Sequence, residues 1–304
     1  MALTGLLVAL RPLHGWNLSL WHGDHGWRAE AASHAQALAA WAATQGLPLH
    51  LEQAQPIPGS EAEARHWRYG CLRRQAEALG CRHVLTGHTA SDRTETLLLH
   101  LARGCHRKGL ASLQASRPLA DGLQLVRPLL PFSRQDTSRI CAEQGLPVWI
   151  DATNEDPRFS RNRLRAEVLP VLEDLHPGAT TRIAAMAERL AQEEDQAEEL
   201  VAMVLDSLAA PAKPELGEGE AGLDRRGLLA LQPANQGRVL QSWLRRHWGK
   251  TLQGKDLELL LSRMRAKEHS GRQDLAHGWI LRWDGLRVSL QPPRQHPTHH
   301  GDHP

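Results

Sequence analysis

The 304-residue sequence is short of several things, and each shortage excludes a class of protein. Its four cysteines, Cys71, Cys81, Cys105 and Cys141, are widely spaced and form no C-x-x-C pair, which argues against a zinc ribbon, an iron–sulfur site or a disulfide framework and fits a reducing cytoplasm. No apolar run approaches the roughly 20 residues that span a bilayer, so no membrane partner is expected. The opening MALTGLLVAL has no basic n-region and no small-residue cleavage site ahead of Arg11 and Pro12, and reads as a helix. Net charge is also small: 36 Lys plus Arg against 34 Asp plus Glu leave +2, so a nucleic-acid partner has to be argued from local basic runs. There are no internal repeats. What is present, 41% hydrophobic and 23% charged residues, describes an ordinary globular chain whose length fits about two domains.

From residue 1 to 165, short apolar runs alternate with helical periodicity, the pattern of an α/β domain on a parallel sheet. Strands are expected at Asn17 to Trp21, Pro48 to Glu52, His83 to Thr86 and Val148 to Ile150. Helices are expected at Ala31 to Thr44, Ser60 to Leu79, Asp92 to Ala102 and Ser133 to Gln144. A helical connector follows over 166–210, with Ile183, Met186, Leu190, Ala197, Val201, Val204 and Leu208 on one stripe. The Pro- and Gly-rich segment 211–222 reads as a linker, and 223–291 as a small α+β module closed by a hairpin whose turn is Asp284-Gly285. The Pro- and His-rich end, 292–304, reads as a disordered tail.

Five stretches carry residues fit for chemistry, each with a plain structural reading beside it. His22-Gly-Asp24-His25-Gly-Trp27-Arg28 ends a strand, where ligands of open α/β sheets sit, although an Asp-His step is also a common turn. Arg65 and Arg68 lie three apart on one helical face and can present two forks to phosphate, unless Glu61 simply pairs with Arg65 on a solvated face. Gly87-His88-Thr-Ala-Ser91-Asp92-Arg-Thr-Glu95-Thr96 leaves a strand and opens a helix. There Asp92 and Glu95 share a face that can hold magnesium or orient an amine, though acidic residues also favour helix starts on dipole grounds. Arg103-Gly104-Cys-His-Arg107-Lys108-Gly109 is a basic loop at a helix end, followed by Arg127-Pro128-Leu129-Leu130. Asp151-Ala-Thr153-Asn154-Glu-Asp156-Pro-Arg158-Phe-Ser-Arg161-Asn162-Arg163-Leu-Arg165 suits an RNA backbone or a triphosphate, or is a loop of Asp–Arg pairs.

Taken in this order, the stretches resemble the tRNA(Ile)-lysidine synthetase family of the PP-loop ATP-pyrophosphatase superfamily. The matching motifs are H-x-D-H-G-x-R, E-x-x-A-R-x-x-R-Y, G-H-x-x-x-D-x-x-E-T, R-G-x-x-x-x-G-L, R-P-L-L and D-x-[ST]-N-x-D-x-x-x-x-R-N-x-x-R. The resemblance implies an α/β PP-loop catalytic domain followed by a helical segment and a small tRNA-binding α+β domain. The implied reaction is an ATP-dependent ligation of free L-lysine to C2 of the wobble cytidine of the isoleucine tRNA with a CAU anticodon, through an adenylated base, so that an AUG-reading anticodon reads AUA. Within it, Asp92 and Glu95 are expected to be catalytic and to hold magnesium. Asp24, His25, Arg28 and His88 are expected beside the nucleotide. Arg65, Arg68, Arg103, Arg107, Lys108, Asn154, Arg161, Asn162 and Arg165 are expected on phosphate or tRNA, with Arg245, Arg246 and Lys250 as weaker basic candidates. The oligomeric state is left open, a homodimer included.

One motif of the superfamily, S-G-G-x-D-S, does not occur in the sequence. In the family it closes a first strand and cradles pyrophosphate on backbone N–H groups. The opening residues resemble the helix after that loop, so the expectation is an internal start at Met1, with roughly 20 to 30 residues of strand and turn ahead of it. The alternatives are a truncated, catalytically inactive tRNA-binding paralogue and a tRNA thiolation enzyme, against which the scattered cysteines count. Ser91, where many relatives carry Asp, is a smaller departure.

Overall fold

The computed structural model describes residues 1–27, 30–105, 107–111, 113–149, 160–210, 221–266 and 270–293. They fall into two compact units, Met1–Glu194 and Asp195–Pro304.

The first unit opens on α1 (Ala2–His14), which Gly15 terminates in the left-handed conformation with φ 63°. There follow β1 (Leu20–Asp24), α2 (Ala31–Thr44), β2 (Leu49–Gln53), α3 (Glu61–Ala78), β3 (His83–Leu85) and α4 (Ala90–Ala102). After α4 come α5 (Arg107–Leu110), β4 (Ser116–Ala120), β5 (Leu123–Val126), α6 (Arg134–Glu143), α7 (Ser160–Arg163), a π-turn over Leu164–Val168, α8 (Leu169–Leu175) and α9 (Ala179–Ser207). The residues of α9 up to Glu194 belong to this unit.

β1 and β2 pair in parallel, and so do β3 and β5, through connections that carry helices. Pairing of β1 begins at Leu20, three residues later than the apolar pattern suggests. The reason lies in the partner: Pro48 has no N–H, its carbonyl accepts from the Leu20 amide, and the ladder starts with Leu20 opposite Leu49. The strand expected at Val148 to Ile150 is not formed at residues 147–149, and Ile150 lies outside the described residues.

A hairpin that periodicity does not disclose is present instead. β4 runs antiparallel to β5 around Asp121-Gly122, with Gly122 at φ 67°, so this sheet is mixed. Among the described residues the first unit therefore holds a two-stranded and a three-stranded sheet, the latter ordered β3-β5-β4. Val84, Leu123, Leu125 and Ala76 form the core under the three-stranded sheet, and Ala2, Leu129 and Cys141 pack α1 onto α6.

The second unit continues α9 from Asp195 and adds β6 (Ala221–Asp224), α10 (Arg225–Ala230), α11 (Pro233–Trp248), α12 (Gly254–Arg265), β7 (Gly271–Asp274), β8 (Ile280–Trp283) and β9 (Arg287–Gln291). Its sheet is antiparallel in the order β6-β9-β8-β7. The expected hairpin is there, tightened by Asp284 Oδ1, which accepts from the Leu286 and Arg287 amides. Ala221 and Gly222, read from the sequence as the end of a linker, pair with Leu290 and Ser289 as the start of β6. Residues 211–220 of that segment and 294–304 of the expected tail lie outside the described residues. Leu223, Leu240, Leu244, Leu260, Met264, Leu281, Val288 and Leu290 are fully buried and make the larger core. Burying each such side chain contributes about 1.5–3 kcal/mol before chain entropy is charged against it.

Candidate active site

The N-terminus of α4 gathers the first unit's densest set of buried polar side chains. Thr89 caps the helix, its hydroxyl accepting from the Asp92 amide while Asp92 Oδ2 accepts from the Thr89 amide and hydroxyl, each at 2.8 Å. The first two turns are buried although they are polar: Ser91, Arg93, Thr94, Glu95 and Thr96 are all inside. Each of these finds a partner. Ser91 Oγ accepts from the Arg134 amide, Arg93 reaches the Leu113 carbonyl and Glu188, Thr94 donates to the Thr180 carbonyl at 2.8 Å, and Thr96 donates to the Asp92 carbonyl. The helix start is thereby fixed from three sides, by α6, by the segment ahead of β4 and by α9.

Glu95 is 1% exposed, and both of its oxygens accept from Arg165, at 2.9 and 3.1 Å. Burial raises the Glu95 pKa above the ordinary carboxylate value even though Arg165 pulls the other way. Asp92 Oδ1 lies 3.9 Å from the Arg134 guanidinium. His88, just ahead of the cap, shares its Nδ1 with the Thr86 hydroxyl at 2.9 Å. Burial, reinforced by the charges of Arg127, Arg65 and Arg68 and opposed by Asp92, pushes His88 down to about 4. The imidazole is therefore neutral at physiological pH.

The arginines that act on His88 come from α3 and from the end of β5. Arg65 lies 4.9 Å from the Tyr69 ring centroid, and Arg117 lies 5.2 Å from the same ring. Arg127 is buried and donates to the Gln114 carbonyl. Arg68 approaches His25 Nε2 at 3.4 Å, and burial lowers its pKa from the ordinary arginine value. A half-buried guanidinium that has given up part of its hydration is suited to a phosphate, whose charge offsets that loss.

At the end of β1, Asp24 closes a turn: Oδ1 accepts from the Gly26 amide at 2.8 Å, and Gly26 takes φ 74°. Asp24 is thus engaged with the backbone of its own turn, and His25 stacks on Trp27 and meets Trp67 edge to face.

The structure brings Asp92, Glu95, His88, Arg65, Arg68 and Arg165 into one electrostatic neighbourhood. Arg161 lies beside Glu61, which it contacts at 3.2 Å, so Glu61 does not serve Arg65 in the i,i+4 manner. Arg103 caps the other end of α4, roughly 16 Å along the helix axis from Asp92, and Arg107, which opens α5, pairs with Glu193. Lys108 occupies α5 and Asn162 occupies α7. Arg28 and Asn154 lie outside the described residues. Sequence reasoning passes over Arg127, Arg134 and Tyr69 as site residues. R-P-L-L and R-Y are visible as motifs, but nothing in a linear pattern says that a strand end and a helix face converge on one histidine.

Among the described residues no group of three or more His, Cys, Asp and Glu can hold a metal ion. Asp92 Oδ1 is the carboxylate oxygen here that no hydrogen bond takes up among the described residues, since Glu95 is fully engaged by Arg165. Of the two residues expected to hold magnesium, Asp92 is therefore the one with a carboxylate oxygen left for a cation, while both Glu95 oxygens are turned to Arg165.

An α/β unit whose β1–β2 and β3–β5 pairs are parallel, with polar side chains gathered beyond their ends, fits a PP-loop domain, and the model of the PP-loop domain family matches residues 1–172. The chain is 48% identical over 298 residues to the tRNA(Ile)-lysidine synthase of Parasynechococcus marenigrum (strain WH8102), covering 96% of this chain and 86% of that protein. It is 37% identical over 291 residues to the corresponding synthase of Gloeobacter violaceus, covering 95% and 87%. Among solved structures it is similar to the U34-tRNA thiolase NcsA from Methanococcus maripaludis, with a TM-score of 0.48 and 15% identity over 62% of this chain and 68% of that one. The chain belongs to the tRNA(Ile)-lysidine synthase family of PP-loop proteins.

Proposed function

We propose that this chain is an ATP-dependent C–N ligase that attaches free L-lysine to C2 of the wobble cytidine in the isoleucine tRNA with a CAU anticodon. The observation that carries the reading is the start of α4: the carboxylates Asp92 and Glu95 stand on its first turns next to His88, on which Asp92, Arg65, Arg68 and Arg127 all act, in a chain whose relatives are lysidine synthases.

The chemistry asks for two steps. The C2 oxygen is a poor leaving group, so it attacks the α-phosphorus of ATP, pyrophosphate departs, and the base becomes adenylated. The lysine side-chain amine then attacks C2, AMP leaves with the oxygen, and the amine loses a proton. Arg65, Arg68 and Arg161 suit the anionic phosphates. Asp92 suits an ammonium or a magnesium ion that offsets phosphate charge. Glu95 and Arg165, locked together, position the helix start on which Asp92 stands. Neutral His88 can accept or donate a hydrogen bond without adding charge. The division into a catalytic part at 1–165, a helical connector and a tRNA-binding module at 223–291 belongs to the same proposal.

The test is transfer of labelled lysine to a transcript of that tRNA in the presence of ATP, with Asp92→Ala beside the unaltered chain. The expected result is ATP-dependent labelling that the substitution abolishes while tRNA binding persists. An inactive tRNA-binding paralogue would bind the transcript, never label it, and be indifferent to Asp92→Ala.

A further inference from the structure

Beside the arginines of the candidate site runs a chain of rings that the proposed chemistry does not use. The Trp21 and Trp67 rings lie 5.9 Å apart, Trp67 stands edge-on to His25 at 5.2 Å, and His25 stacks on Trp27 at 5.1 Å with 25° between the planes. The inner end is anchored by the Trp21 indole N–H, which donates to Glu52 at 2.8 Å. The outer end is anchored too: the Trp27 N–H donates to the Pro58 carbonyl at 2.8 Å. Trp27 is nevertheless 45% exposed.

A large apolar ring left in water on a turn normally folds down or moves. Here one face is backed by His25 and the N–H is held, so the indole is fixed in orientation while almost half of it stays open. His25 Nε2 in turn meets the Arg68 guanidinium at 3.4 Å, which places a partly desolvated cation one ring away from the exposed indole. A flat apolar ring one imidazole away from a guanidinium complements a ligand that joins a planar heterocycle to a phosphate.

We infer that Trp27 is the stacking platform for a nucleobase at this site, a specificity-determining contact that resides in the aromatic ring. The inference rests on the reading of the site as one that handles nucleotide and RNA. Two substrates of that reading carry such a base, ATP and the anticodon loop, and the shared chemistry is base-on-indole stacking.

The experiment measures binding of ATP, and separately of an anticodon stem-loop RNA, to the full chain and to Trp27→Phe and Trp27→Leu. Both variants keep an apolar side chain, and only the first keeps an aromatic face. The expected result is that Trp27→Leu weakens one of the two ligands by roughly tenfold or more, the scale of base–aromatic stacking, while Trp27→Phe stays within about threefold. Loss confined to ATP assigns adenine to the platform, and loss confined to the RNA assigns a tRNA base. Equal behaviour of the two variants, whether both bind like the unaltered chain or both fail, overturns the inference and leaves the proposed function standing. An unaltered chain that binds neither ATP nor RNA overturns both.

Discussion

Arg165 grips Glu95 with both arms of its guanidinium, Nε to Oε1 at 2.9 Å and Nη2 to Oε2 at 3.1 Å, across 70 residues of sequence. Arg165 stands on the π-turn Leu164–Val168, a widened turn of the kind that recurs at functional sites. Removing one partner of a buried pair leaves the other charge uncompensated. Arg165→Met is therefore expected to destabilise the first unit by about 3–5 kcal/mol. The pair Glu95→Gln with Arg165→Met should recover a good part of that loss in a denaturant melt. If the double variant is as unstable as the sum of the two single ones, the pair is not coupled.

The fold uses Oδ2 of Asp92 and the proposed chemistry uses its charge, and substitution can separate the two. Asp92→Ala removes the acceptor for the Thr89 amide and hydroxyl and should cost about 1 kcal/mol, the usual worth of a helix cap. Asp92→Asn keeps a capping oxygen and should melt near the unaltered chain. Both variants are expected to lose lysine transfer, because the negative charge is gone in each. Full activity in the asparagine variant would show that the carboxylate serves the fold alone.

His88 gives the pH dependence a sign. Its pKa in the folded chain is about 4, against an ordinary value of 6.5, because burial and neighbouring arginines disfavour the imidazolium. Between those two values the unfolded chain binds a proton that the folded chain does not, so stability falls as pH drops through that window and is unaffected by this group above it. The measurement is urea stability at several pH values for the unaltered chain and His88→Asn. The difference in slope should be confined to the interval from 6.5 to about 4.

Gly271 tests the packing of the second unit. It lies opposite Trp283 in the β7–β8 ladder, and a Cβ built there would sit 2.0 Å from the indole. Trp283 is 3% exposed and packed among core side chains, so it has little room to retreat. Gly271→Ala should cost about 1–3 kcal/mol through overpacking, read as a lower melting temperature. Trp283→Leu in the same background should relieve part of that clash.

Much of this was legible in the sequence where the signal is local. The helix at Ala31–Thr44 begins and ends where its alanine-rich pattern does, and Asp284-Gly285 turns its hairpin as that dipeptide demands. Asp121-Gly122 carries the same signal and turns β4 into β5. The pattern hides it because Pro118 breaks the apolar alternation around it, an allowed residue on a strand at the edge of its sheet. The limits of β1 are beyond local reading, since the missing amide of Pro48 sets where its partner can start. The same holds for the site. Spacing puts Asp92 and Glu95 on one helical face, but the guanidinium that occupies Glu95 arrives from Arg165, and the burial that keeps His88 neutral is reinforced by charges arriving from two other elements. Such convergence is a property of the fold and leaves no periodic trace.

Tyr69 is the one tyrosine in the sequence, and it is flanked by Arg65 and Arg117 with Arg127 at its hydroxyl. Burial pushes its phenol up, yet the three guanidiniums outweigh burial and hold its pKa below the ordinary tyrosine value. A single phenol gives a single ultraviolet ionisation step, free of overlap from any other tyrosine. The molecule thus contains its own voltmeter: an anion that settles among those arginines will move the phenolate absorbance to higher pH, reporting the local potential without an added label.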